Sequence, residues 1–88
     1  MKSFALTVST PEGNAFDGEA VMISVRGTEG QLAVMAGHIP FVTSVKPCEC
    51  KMETEDGEVR LGRTGGGILN VSHDKVTLLS GSFEWIKQ

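Results

Sequence analysis

Apolar and polar residues alternate along this chain in short runs that end at turn-forming residues, and helical periodicity is nearly missing. Phe4, Leu6 and Val8 share one parity, with Ala5, Thr7 and Ser9 on the other. Thr10-Pro11-Glu12-Gly13-Asn14 breaks that run. Over 19–25 the side chains of Val21, Ile23 and Val25 fall on one face, and Arg26-Gly27-Thr28-Glu29-Gly30 reads as a turn into a strand over 31–34. Positions 35–40 read as a loop and 41–45 as a further strand. Cys48, Cys50 and Met52 alternate with Glu49, Lys51 and Glu53, the pattern of a half-exposed strand. Asp56-Gly57 signals a tight hairpin of type I′, which needs φ > 0 at both central residues, and 58–63 returns from it. Gly65-Gly66-Gly67 precedes a strand over 68–71, and Ser72-His73-Asp74 turns into one over 75–79. The tail over 80–88 carries no clear pattern.

Turn signals recurring every 8–12 residues or so predict an all-β fold of about eight to ten short strands, an antiparallel β-sandwich or barrel. No linker, repeat or low-complexity tract interrupts the chain, so 1–88 is expected to be a single domain. At 88 residues such a chain buries only roughly 60–65% of the surface its unfolded form exposes, and a partner that covers the folded state adds stability. A hydrophobic fraction of 40% with 22% charged residues is globular and not disordered. The net charge of −3 argues against nucleic acid as the main partner, because that role needs a dense cationic face. No apolar run approaches the roughly 18 residues of a membrane span. The N-terminal residues lack the apolar stretch of a signal peptide. Cys48 and Cys50 are too few for a disulfide framework, and a soluble intracellular protein is expected.

Candidate chemistry is sparse. The glycine run lacks the Lys-Ser/Thr ending of a phosphate loop, and no helical pattern follows it, so it predicts a bend or bulge at a sheet corner. Cys48, Cys50, His38 and His73 could be drawn together as a zinc set, but a strand holds residues i and i+2 roughly 6–7 Å apart. Strand geometry favours two small hydrophobes on a core-facing strand. Glu49, Glu53, Glu55, Asp56 and Glu58 surround the predicted hairpin tip and read as a solvated, edge-protecting charge set. Neither a serine-nucleophile motif nor a catalytic His-Asp arrangement is suggested, so no catalytic residue, cofactor site or metal site is assigned. His38 sits in a Gly-His-Ile-Pro loop between apolar strands, where a scaffold can hold a recognition residue or a ring can satisfy loop backbone.

From Thr10 onward the chain resembles the epsilon subunit of F-type ATP synthases, in its N-terminal β-sandwich domain. The matching segments are Thr10-Pro11-Glu12-Gly13, Phe16-Asp17-Gly18-Glu19, Gly27-Thr28-Glu29-Gly30, Gly37-His38-Ile39-Pro40, Thr43-Ser44-Val45-Lys46-Pro47, Gly66-Gly67-Ile68-Leu69-Asn70-Val71 and Lys75-Val76-Thr77-Leu78-Leu79. They stand in order and in register over nearly the whole chain.

The resemblance implies a non-catalytic subunit of the central stalk, part of the rotor that couples proton flow to ATP synthesis. It implies two partners, the gamma subunit and the ring of membrane c subunits. Carried over by position, Thr10, His38, Ile39 and Thr43 match places that look toward gamma. Arg26, Gly27, Thr28, Glu29, Gly30, Gln31 and Leu32 match the loop that looks toward the c-ring. Such a subunit lies at the cytoplasmic face of a bacterial plasma membrane, peripheral to it through the complex. The family usually adds a C-terminal helical hairpin that can restrain ATP hydrolysis. The chain stops at Gln88, so it is expected to couple the rotor without clamping it. Cys48 stands where the family often has glycine after Lys-Pro, and Cys50 where it has a branched core residue. The alternative is a free-standing β-sandwich module that binds a small ligand or metal through Cys48, Cys50 and a histidine.

Overall fold

The computed structural model describes residues 2–86, so Met1 and the tail residues Lys87 and Gln88 lie outside the described residues. Among the described residues there are nine strands and no helix: β1 (Phe4–Thr10), β2 (Gly13–Gly27), β3 (Gly30–Met35), β4 (Phe41–Val45), β5 (Cys48–Thr54), β6 (Val59–Thr64), β7 (Gly67–Val71), β8 (Lys75–Ser80) and β9 (Phe83–Trp85).

The length of β2 organises the fold. Fifteen extended residues would run about 50 Å, yet the molecule measures 29 × 28 × 23 Å. The strand therefore bends, and it does so where its pairing shifts between Ala20 and Met22. Its first part pairs with β1, and its second part pairs with β3 and β5. Two layers result: β2-β1-β8-β7-β4 and β3-β2-β5-β6-β9. The single pairing of Gly27 with Val45 brings β4 back to β2 and closes the sandwich along that seam. Leu6, Val8, Leu69 and Leu78 from one layer, with Ile23, Val34, Cys50 and Met52 from the other, form the core. Full burial of each such aliphatic side chain is worth roughly 1.5–3 kcal/mol.

Several local expectations change. One pair in the sandwich is parallel, β1 with β8, because the two strands meet only after the chain has gone round the fold. β2 begins at Gly13 and not near Glu19, since only Pro11 and Glu12 separate it from β1. The bulge also buries Ala20 and Val21 together, so parity is not continuous along β2.

The 54–58 hairpin is not type I′. Positive φ occurs at Gly57 (+87°) and at no non-glycine residue among those described, so Asp56 keeps an ordinary backbone. Gly57 N–H donates to the Thr54 carbonyl (3.0 Å) and Thr54 N–H to the Glu58 carbonyl (2.9 Å). This is a three-residue loop with glycine in the left-handed position. The Thr54 hydroxyl, foremost, and the Glu58 N–H hold the Asp56 carboxyl below its ordinary range. The acidic residues on β5 do not guard an edge, because β5 lies between β2 and β6.

The glycine run does form a corner. Thr64 and Ser80, both buried, share a hydrogen bond of 2.6 Å that ties β6 to β8 across the layers. At Gly67 a Cβ would stand 1.9 Å from the Leu79 carbonyl oxygen, so only glycine lets the two strands approach. The tail adds β9, whose Trp85 meets Phe83 and Phe16 edge-on, with the Arg60 guanidinium over Phe16 and Trp85.

Candidate docking surfaces

Side chains on β4, β7, β8 and β1 alternate between the core and the outer face of their layer. Cross-strand pairing sets Ser44, Ile68, Leu79 and Ser9 in one outward row, and Val42, Asn70, Thr77 and Thr7 in the next. No charge stands in either row. Val42 is 65% exposed, Leu79 51% and Ile68 45%, so three large apolar side chains stand outward on this face. Charged residues appear only further along, at Asp17 and Glu19 of β2 and Lys75 of β8. An apolar, uncharged centre with a polar rim is the anatomy of a protein-binding surface.

Ile39, 80% exposed, and His38 lie in the loop leading into β4. His38 N–H donates to the Met35 carbonyl (3.3 Å). The ring Nδ1 lies 3.3 Å from Met35 N and 3.2 Å from Met35 O. Nδ1 therefore has a backbone partner whether it accepts or donates. The ring also leans on Phe41, with centroids 6.0 Å apart. His38 is thus a fixed ring at the end of the layer, in a cleft shared with Phe4, His73 and Asp74.

The four residues matched to the gamma side do not converge. His38 and Ile39 are neighbours. Thr10 ends β1 at the far end of the layer, roughly 20 Å along the strand from Phe4, and its hydroxyl donates to the Gly13 carbonyl (2.8 Å). Thr43 lies on the inward parity of β4, half-buried, opposite the core residue Leu69. Its Oγ1 stands 3.6 Å from where a Cβ on Gly27 would be. It therefore belongs to the base of the other candidate surface.

That second surface is one structural unit. Gly27 pairs with Gly30 and Arg26 with Gln31, so Thr28 and Glu29 form an exposed turn between β2 and β3. Its base is held by the Lys46 N–H donating to the Arg26 carbonyl (2.9 Å) and by the Arg26 N–H donating to Cys48 Sγ (3.3 Å). Gln31 Nε2 donates to the Ser24 hydroxyl (3.1 Å). Leu32 covers Gly27, its Cδ2 3.0 Å from the position of a Cβ there. Arg26, Glu29 and Gln31 are exposed around a tip that is small and glycine-flanked.

Cys50 is fully buried, and burial, with a smaller contribution from Cys48, pushes its thiol up to about 12. Cys48 is half-buried and both cysteines are free. Among the described residues no three His, Cys, Asp or Glu come together to hold a metal.

Two of these features were missed at the level of sequence. The apolar outer face was announced by doublets that break alternation, Phe41-Val42, Ile68-Leu69 and Leu78-Leu79. In each doublet one residue faces the core and the other faces out. The Cys48 contact with Arg26 joins residues 22 positions apart and had no signal.

Residues 3–86 match the family model described as the ATP synthase Delta/Epsilon chain β-sandwich domain. The chain belongs to this family. The ATP synthase epsilon chain of Bacillus licheniformis is 35% identical over 88 residues, which is all of this chain and 66% of that relative. The epsilon chain of Ruminococcus albus is 38% identical over 86 residues, 97% of this chain and 63% of the relative. The sandwich therefore spans just under two thirds of the curated relatives it matches. Among solved structures, a chain of the Euglena gracilis mitochondrial ATP synthase OSCP/F1/c-ring assembly superposes with a TM-score of 0.88 at 22% identity, covering 94% of this chain and 53% of that one. A chain of the Tetrahymena thermophila mitochondrial ATP synthase central stalk/c-ring superposes with a TM-score of 0.76 at 12% identity, covering 94% of this chain and 66% of that one. These two establish likeness of fold.

Proposed function

We propose that this sandwich acts as a non-catalytic part of the central stalk of a rotary ATP synthase, seated against a gamma subunit on one surface and a c-ring on another. In that role it helps couple proton flow to ATP synthesis, as a peripheral component on the cytoplasmic side of a bacterial membrane. The observation that carries the reading is the uncharged outer face of β4-β7-β8-β1, with Val42, Ile68 and Leu79 exposed and the His38-Ile39 loop leading into β4. Its occupant in this reading is the gamma subunit. The Arg26, Gly27, Thr28, Glu29, Gly30, Gln31 and Leu32 turn meets the polar loops of the ring, where its exposed side chains supply hydrogen bonds and its glycines let backbones approach. Thr10 marks the far rim of the gamma side, and Thr43 supports the turn from beneath.

Transmission of torque needs the two surfaces to keep a fixed relation. β4 supplies it: the chain enters β4 from the His38 loop and leaves it at Val45, paired with Gly27 at the base of the turn. A gamma subunit that binds only the folded sandwich stabilises it by mass action, about 2.7 kcal/mol at one hundred times Kd. For a domain of this size that is a rise in Tm of roughly 10–20 °C. Thermal unfolding with and without purified gamma tests the reading. A Tm indifferent to a large excess of gamma contradicts it.

A further inference from the structure

The ladder between β2 and β5 ends at Ser24 paired with Lys51. Continued by two steps it would set Arg26 opposite Glu49. It does not continue, because the Arg26 N–H and carbonyl turn to the segment that joins β4 to β5. The Arg26 carbonyl takes the Lys46 N–H at 2.9 Å. The Arg26 N–H, beyond the last β2–β5 ladder pair, donates to Cys48 Sγ at 3.3 Å. Cys48 sits half-buried against the turn, in the wall of a cleft of about 350 Å³ shared with Val25, Arg26 and Gln31.

We propose that Cys48 is a positioning residue for the β2–β3 turn, its thiol accepting the Arg26 N–H beyond the end of the β2–β5 ladder and holding Arg26 in place at the base of the docking loop. The proposal rests on the reading of that turn as the ring-facing surface. Glycine at this position offers no side-chain acceptor, so the device is particular to a chain with cysteine here. Serine keeps an acceptor of similar reach, while alanine removes it.

The experiment compares wild type, Cys48→Ser and Cys48→Ala. Amide hydrogen exchange is followed at Arg26, with Val34 and Leu69 as core references. The expected result is that Arg26 exchanges about 2–10-fold faster in Cys48→Ala, the factor one net hydrogen bond supplies, and near the wild-type rate in Cys48→Ser, with the core amides unchanged in both. Equal Arg26 protection in all three proteins overturns the proposal, as does equal loss in the serine and alanine variants. Retention of the assembled complex on the membrane sector is measured alongside, and should fall for alanine and recover for serine. Exchange that follows the expectation while retention stays constant upholds the pin and removes the ring-facing assignment.

Discussion

Cys48 and Cys50 point the same way from one strand and meet different surroundings. Cys50 is closed into the core with Met52 and Ile23, and burial moves its thiol from 9.0 to about 12. The folded state therefore keeps the Cys50 proton where the unfolded chain has lost it. The associated stability is complete below about pH 9 and is lost as the pH rises from there toward 12, at a slope near 1.4 kcal/mol per pH unit in that window. Urea unfolding of wild type and Cys50→Val between pH 8 and 11 should show wild type losing stability faster above pH 9. Parallel curves would count against a buried, protonated thiol. A thiol reagent at pH 8 should modify Cys48 quickly and reach Cys50 only as the protein unfolds, because the thiolate is the reactive form.

At the level of elements, the alternation of Phe4, Leu6 and Val8 and of Cys50 and Met52 was legible because each strand has one core face. The first part of β2 was not, since Asn14, Asp17 and Gly18 are poor strand formers, and the partner that makes them a strand is β1. The parallel β1–β8 pairing and the inward setting of Thr43 are likewise tertiary facts, with no local signature. The glycine corner was readable, and its cost can be measured. Gly67→Ala would drive a Cβ to 1.9 Å from the Leu79 carbonyl, and overpacking against backbone costs 1–3 kcal/mol or more. Gly57→Ala meets open space and has only the positive φ of +87° against it, a penalty of about 1 kcal/mol. Denaturant titration of the two variants should rank Gly67→Ala as the more damaging. The reverse order would mean that the β7–β8 approach is looser than described.

On the scale of the whole molecule, a bent β2 and a β4 paired at its end to Gly27 make the two layers one body with two candidate surfaces. The family and the fold were legible in the order of the matched segments, but the exposed apolar face of β4, β7 and β8 was not. Sequence position grouped Thr10, His38, Ile39 and Thr43, whereas strand pairing sets Val42, Ile68 and Leu79 on one outer face. The most direct test is the affinity of purified gamma for wild type, Leu79→Asp, His38→Ala and the double variant Glu29→Ala/Gln31→Ala, each first checked for an unchanged Tm. A charge at the centre of the patch should weaken binding about 30-fold or more, the loss of a hot spot worth 2 kcal/mol. His38→Ala should weaken gamma binding as well. The turn variant should bind gamma within about threefold of wild type, since each exposed polar contact nets only about 0.5–1.5 kcal/mol, and should instead loosen the hold on the membrane sector. Full gamma affinity in Leu79→Asp and His38→Ala, with loss in the turn variant, would contradict the account.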